Sequence, residues 1–88
     1  MNRMDRMRDL LGALQAEHIE IIDDSHLHAG HAGAREGGGH YRLSIVSPQF
    51  VGKSTVARHR MIYSALQEMM KRDIHALNIN AFAPHEPH

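Results

Sequence analysis

The sequence predicts a small α+β domain in the order α-β-β-α-α-β, a three-stranded sheet covered on one face by helices. Three observations predict it. Apolar residues recur at three- and four-residue steps near the start of the chain and again from His59 to Met70, the period of helices with one buried face. Three short stretches, 18–23, 41–46 and 74–82, alternate apolar and polar side chains or are rich in isoleucine, as strands are. Eighty-eight residues suffice for one such layered unit and are too few for two domains with a deep cleft between them.

The elements follow in order. Met4, Met7, Leu10, Leu11 and Leu14 place one apolar stripe on a first helix. Residues 18–23 form a short strand with Ile19 and Ile21 on one face, ended by Asp24 and Ser25. Residues 26–39, HLHAGHAGAREGGG, hold most of the glycines and almost no large apolar group, so burial cannot offset their ordering entropy and a loop is expected. Tyr41, Leu43 and Ile45 alternate with Arg42, Ser44 and Val46 in a second strand, which pairs with the first as an antiparallel hairpin. Pro48 and Gly52 interrupt the chain.

Ser54 is an N-cap for a short helical turn, and His59, Ile62, Tyr63, Leu66, Met69 and Met70 form the stripe of a longer helix behind it. Lys71 and Arg72 complement the negative end of that helix. Residues 74–82 are the third strand, with His75, Leu77 and Ile79 sharing a face. The domain is expected over 1–84, with 85–88 a disordered tail.

Composition excludes several function classes. Ten basic and ten acidic residues cancel, which argues against tight nucleic-acid binding by the molecule as a whole. The distribution is uneven: residues 1–40 carry four Arg/Lys against seven Asp/Glu, a net of −3, and residues 53–72 carry five against one, a net of +4. One basic surface is expected. No apolar run is long enough to span a membrane, and the Arg-bearing start leads into no signal-peptide core, so a soluble cytoplasmic protein is expected. The absence of cysteine fits a reducing compartment and leaves any iron–sulfur site to borrow sulfur from elsewhere. Gly52-Lys53-Ser54-Thr55 imitates the end of a phosphate-binding loop, but the pattern requires glycine where this chain has Ser47; a turn leading into a helix explains it better. No nucleophile–base–oxyanion set marks an enzyme.

Nine histidines are the chemical signature of the chain, and His18, His26, His28, His31 and His40 crowd around the glycine-rich stretch. Neutral imidazole is the commonest protein metal ligand. His26, His28 and His31 suit either joint metal ligation or a solvated linker, and His75 either a ligand or a structural histidine. Arg58 and Arg60, flanking His59, read either as solvated charges or, with Lys53, as phosphate contacts on the basic surface.

The segments Asp24-Ser25-His26-Leu27-His28, His40-Tyr41-Arg42-Leu43-Ser44-Ile45-Val46-Ser47, Phe50-Val51-Gly52-Lys53-Ser54, Arg58-His59-Arg60-Met61-Ile62-Tyr63 and Ile74-His75-Ala76-Leu77 resemble the successive signatures of BolA proteins, from about Met4 to Pro84. The resemblance implies the class II KH-like topology of that family. No G-x-x-G joins the second and third helices, so the RNA clamp of true KH domains is not implied. It further implies a monothiol CGFS-type glutaredoxin as partner and a shared [2Fe–2S] cluster, for which the glutaredoxin cysteine and glutathione supply sulfur.

His75 matches the family's H-A-L ligand, and His28 matches the loop ligand by its S-x-x-H spacing from Ser25, with His26 and His31 as possible substitutes. Mixed His/Cys ligation implies a raised, pH-sensitive reduction potential. The family is also known for transcriptional regulation, which implies DNA contact through Lys53, Arg58 and Arg60 as the alternative. Alone, the chain is expected to be a monomer or weak homodimer.

Overall fold

The computed structural model of the chain describes residues 2–25 and 38–87. Helix α1 (Arg3–Leu11) starts behind Asn2, whose side chain accepts a hydrogen bond from the Asp5 amide at 2.9 Å and satisfies a donor that a helix start leaves open. A 3₁₀ turn (Gly12–Leu14) prolongs the stripe, so Met7, Leu11 and Leu14 all enter the core. Strands β1 (His18–Asp23) and β2 (Gly39–Val46) pair antiparallel, with Ile19 opposite Ile45 and Ile21 opposite Leu43, as the alternation predicts.

Strand β3 (Ile74–Phe82) lies parallel to β2 on its other side, giving the sheet order β1-β2-β3. Parallel neighbours need a long crossover. A 3₁₀ turn (Pro48–Phe50), helix α2 (Thr55–Ala65) and helix α3 (Gln67–Met70) supply it. Ile62, Leu66 and Met69 from this crossover pack with Met7, Leu11, Ile21, Tyr41, Leu43, Ile45 and Phe50 in one core. Glu20, Arg42, Asn78 and Asn80 on the opposite face of the sheet are exposed. The structure is therefore the α+β domain the sequence predicts, a mixed sheet with its helices on one face.

Four details differ from the sequence reading. Ser54 caps the long helix directly, accepting from the Ala57 amide at 3.1 Å, and the short helix follows it. The break falls at Leu66 (φ −96°, ψ 12°), and both Leu66 and Met69 remain fully buried across it. Tyr63, expected on the buried stripe, is 41% exposed.

His75 leaves the face of Leu77 and Ile79. The register jumps from Gly39 opposite Ile74 to His40 opposite Ala76, so β3 holds His75 as an extra residue; Ile74 is buried in its place and His75 is exposed. Glu86 is also held. Placed by the sequence reading in a free tail, it accepts from the Ala83 amide at 2.8 Å and from both terminal nitrogens of Arg58.

Candidate functional site

One end of the sheet gathers the end of β1 and the starts of β2 and β3. Asp24 and Ser25 follow β1 and are stitched to β2: the Asp24 amide donates to the His40 carbonyl at 2.8 Å, and the His40 amide donates to Ser25 Oγ at 3.0 Å. Asp24 also accepts a two-pronged contact from Arg42, which raises the Arg42 pKa through that hydrogen bond and the adjacent negative charge. The start of β3 is tied to α1, because Asp73 pairs with Arg6 at 3.2 Å and with Arg3 at 3.6 Å.

Two imidazoles meet on this base. His40 is nearly buried and His75 is exposed, with ring centroids 5.1 Å apart and planes inclined by 48°. The bulge brings them together, since His40 stands opposite Ala76 and His75 is the residue inserted beside it. Gly38 makes room for the arrangement: a Cβ there would lie 2.7 Å from the His75 Cβ and 3.3 Å from its amide nitrogen. A cavity of about 410 Å³ opens next to the ring, lined by Gly38, Met70, Lys71, Arg72, Ile74 and His75. The site is open to solvent and rimmed by cations.

His28, His26 and His31 lie outside the described residues. The residues flanking their segment, Ser25 and Gly38, are at the His75 end of the sheet. Among the described residues no three His, Cys, Asp or Glu side chains converge as a metal site. The described imidazoles at this end of the sheet are one exposed ring, His75, and one nearly buried neighbour, His40.

The basic residues divide. Lys53 and Arg60 are exposed. The Arg58 side chain is only 12% exposed; it donates to the Lys53 and Ala81 carbonyls at 3.0 Å, grips Glu86 at 2.7 and 2.9 Å, and stands 5.9 Å from the Phe50 ring centroid. The Arg58 hydrogen bond, with that from the Ala83 amide, lowers the Glu86 pKa to about 2 against the opposing effect of burial. The guanidinium is spent on the fold, and a phosphate contact through it requires release of Glu86.

Sequence reasoning missed His40 as the companion of His75, Gly38 as the residue that admits it, and Glu86 as the partner of Arg58. Strand alternation could have placed His40 on the open face, but only the bulge puts it beside His75. No local pattern links Arg58 to a residue 28 positions away.

A mixed sheet with one helical layer, in the order helix, two strands, helices, strand, defines a small α+β domain. The BolA-like protein family model matches residues 10–86, and the chain belongs to the BolA family. The BolA domain of SufE1 from Arabidopsis thaliana superposes with a TM-score of 0.84 at 43% identity, covering 99% of this chain and 98% of that one. SufE-like protein 1, chloroplastic/mitochondrial, of the same plant is 48% identical over 73 residues, 77% of this chain but 20% of the relative's length. The DNA-binding transcriptional regulator BolA of Escherichia coli is 36% identical over 73 residues, 83% of this chain and 67% of the relative. No helix among the described residues is long and apolar enough to cross a membrane.

Proposed function

We propose that this chain is a non-enzymatic BolA-type adaptor that binds a monothiol glutaredoxin and shares a [2Fe–2S] cluster with it and with glutathione, in iron–sulfur trafficking or iron sensing. The observation that carries the reading is the exposure of His75 on a bulge for which Gly38 leaves room, beside Asp73 and its ion pairs to α1. An exposed imidazole at an open strand start can reach an iron atom on a partner's surface without rearrangement of the core.

His75 is one ligand, and the second comes from the segment between β1 and β2, His28 by its spacing from Ser25, with His26 and His31 as substitutes. The chain has no thiol, so all protein and glutathione sulfur comes from the partner side. Bound there, the cluster would supply one-electron redox chemistry at a potential raised by imidazole ligation. The protein works in a compartment that holds both glutaredoxin and glutathione, the cytoplasm being the simplest.

The test is anaerobic reconstitution with a CGFS-type glutaredoxin, glutathione, iron and sulfide, followed by visible circular dichroism and size-exclusion chromatography. A coloured heterodimer whose spectrum differs from that of the glutaredoxin homodimer, and changes in both His75→Ala and His28→Ala, is expected. A spectrum indifferent to His75, or no heterodimer, overturns the reading.

A second reading, DNA binding, is favoured by the exposure of Lys53 and Arg60 together with the similarity to the E. coli regulator. Arg58, engaged by Glu86, contributes to it only after that pair opens. Lys53→Ala and Arg60→Ala would then weaken DNA binding and flatten its salt dependence, with the cluster spectrum unchanged.

A further inference from the structure

The two edges of the sheet differ. On β1 the side chains of Glu20 and Asp23 bring charge, and the Ile19 carbonyl accepts a hydrogen bond from Arg8 Nη1 at 3.1 Å. Charged residues and capped main-chain groups are the means by which an edge strand avoids pairing with another chain. β3 is the other edge, and its nine residues, IHALNINAF, contain no Asp, Glu, Lys, Arg, Pro or Gly.

Among the described residues, only the ends of β3 are blocked. The bulge at His75 breaks the ladder at one end, and at the other Arg58 Nη1 donates to the Ala81 carbonyl at 3.0 Å. The Phe82 carbonyl faces β2, where it accepts from the Ser47 amide at 2.9 Å, so the Ala81 carbonyl points outward. Strand alternation then turns the main-chain groups of Ile79 and Leu77 outward as well. Between the two blocks lies an uncharged stretch, Ala76 to Asn80, with Asn78 and Asn80 exposed and Leu77 and Ile79 half-buried.

We infer that β3 pairs antiparallel with β3 of a second copy of this chain, about a two-fold axis at Asn78. Self-pairing about a two-fold axis sets the strand against its own reverse, so a charge near the axis meets a like charge close by; like charges opposite one another destabilise a ladder. β3 carries none, whereas β1 carries Glu20 and Asp23, and an axis at either one sets that charge against its own copy. The register is set by what is available. Centring on Asn78 places Leu77 of each copy opposite Ile79 of the other, so that their outward amides and carbonyls satisfy one another, and it keeps the pairing clear of both the Arg58 cap and the bulge. His75 stays outside the paired stretch. The short open segment makes the dimer weak and concentration-dependent, and its existence does not rest on any glutaredoxin partner.

The test uses the purified chain alone, in sedimentation equilibrium and in amide hydrogen exchange over a range of concentrations. A reversible dimer is expected, with exchange at Leu77 and Ile79 slowing as concentration rises. Asn78→Lys and Asn78→Glu, at an exposed position and checked for folding by far-UV circular dichroism, are each expected to be monomeric where the unaltered chain dimerises. An equimolar mixture of the two variants is expected to recover the dimer, because Lys then faces Glu. A chain that stays monomeric at every concentration, a dimer indifferent to both substitutions, or Leu77 and Ile79 exchange that ignores concentration would overturn the inference.

Discussion

His75 stands exposed with its ring centroid 5.1 Å from that of the nearly buried His40, two imidazoles of opposite burial brought together by one inserted residue. The difference in burial separates their roles. Truncating an exposed side chain removes little packing, so His75→Ala is expected to change stability by no more than about 0.5 kcal/mol while abolishing the cluster signature. His40→Ala takes a side chain out of a 9% exposed site and is expected to cost roughly 1–3 kcal/mol. Denaturant unfolding of the two variants checks both values; equal losses would show that His75 is a structural residue.

Gly38 offers a way to move His75 without altering it. A Cβ at position 38 would meet the His75 Cβ at 2.7 Å, a contact that must be relieved, and the third neighbour, the Arg72 carbonyl at 3.4 Å, leaves little room. The side most free to give is the exposed start of β3. Gly38→Ala is therefore expected to leave the far-UV circular dichroism intact, shift the His75 ring resonances in NMR spectra, and weaken cluster binding with the glutaredoxin about tenfold or more, through displacement of one ligand. Unchanged His75 resonances would show that the contact is absorbed elsewhere.

Ser47 shows how a residue can be read correctly for what it is not and still be missed for what it is. In the sequence it denies the chain a phosphate-binding loop. In the structure it is fully buried, its hydroxyl donating to the Leu14 carbonyl at 2.5 Å and accepting from the Gln49 amide at 3.1 Å, and so joins the turn after α1 to the turn after β2. Ser47→Ala leaves both groups without that partner and is expected to cost about 1–3 kcal/mol in denaturant unfolding. A change below about 0.5 kcal/mol would show that other groups take over both bonds.

The strands and helices were legible because their signals are local. Ile19 and Ile21 against Leu43 and Ile45 specify which faces pair, and any slip by one residue would turn these side chains to water. Met7, Leu11 and Leu14 announce their helix by period alone. The site was legible in part, since His75 and its neighbours carry the family's motifs. What could not be read depended on contacts between distant segments: the bulge that rotates His75 out of its expected face is decided by how Ile74 fills the core, and the fate of Arg58 is decided by Glu86. Residue types flanking Arg58 describe a basic surface, and nothing near it announces a carboxylate from the end of the chain.

That pair makes the last prediction, a dependence of stability on pH. Arg58 donates to both carboxylate oxygens of Glu86, whose pKa falls from an ordinary 4.5 to about 2. A carboxylate with a lowered folded-state pKa favours folding above its ordinary value, and the contribution is lost as pH falls from about 4.5 through about 2. The Glu86 side chain is 40% exposed, so solvent screens the pair and the effect is modest. Glu86→Gln is expected to lower Tm by a few degrees at pH 7, and the gap between the variant and the unaltered chain is expected to close as the pH is brought down through that window. The same substitution removes the charge that engages the Arg58 guanidinium, leaving its bonds to the Lys53 and Ala81 carbonyls, so at pH 7 it is expected to raise DNA affinity if, and only if, the basic surface binds phosphate through Arg58. Thermal melts at pH 7, 4 and about 2 test the first expectation; a gap that persists to the lowest pH would show that Glu86 acts through packing and its bond to the Ala83 amide, with its charge contributing nothing. Salt-dependent DNA titration of the same variant tests the second, and an affinity unmoved by release of Arg58 would remove that residue from any nucleic-acid interface.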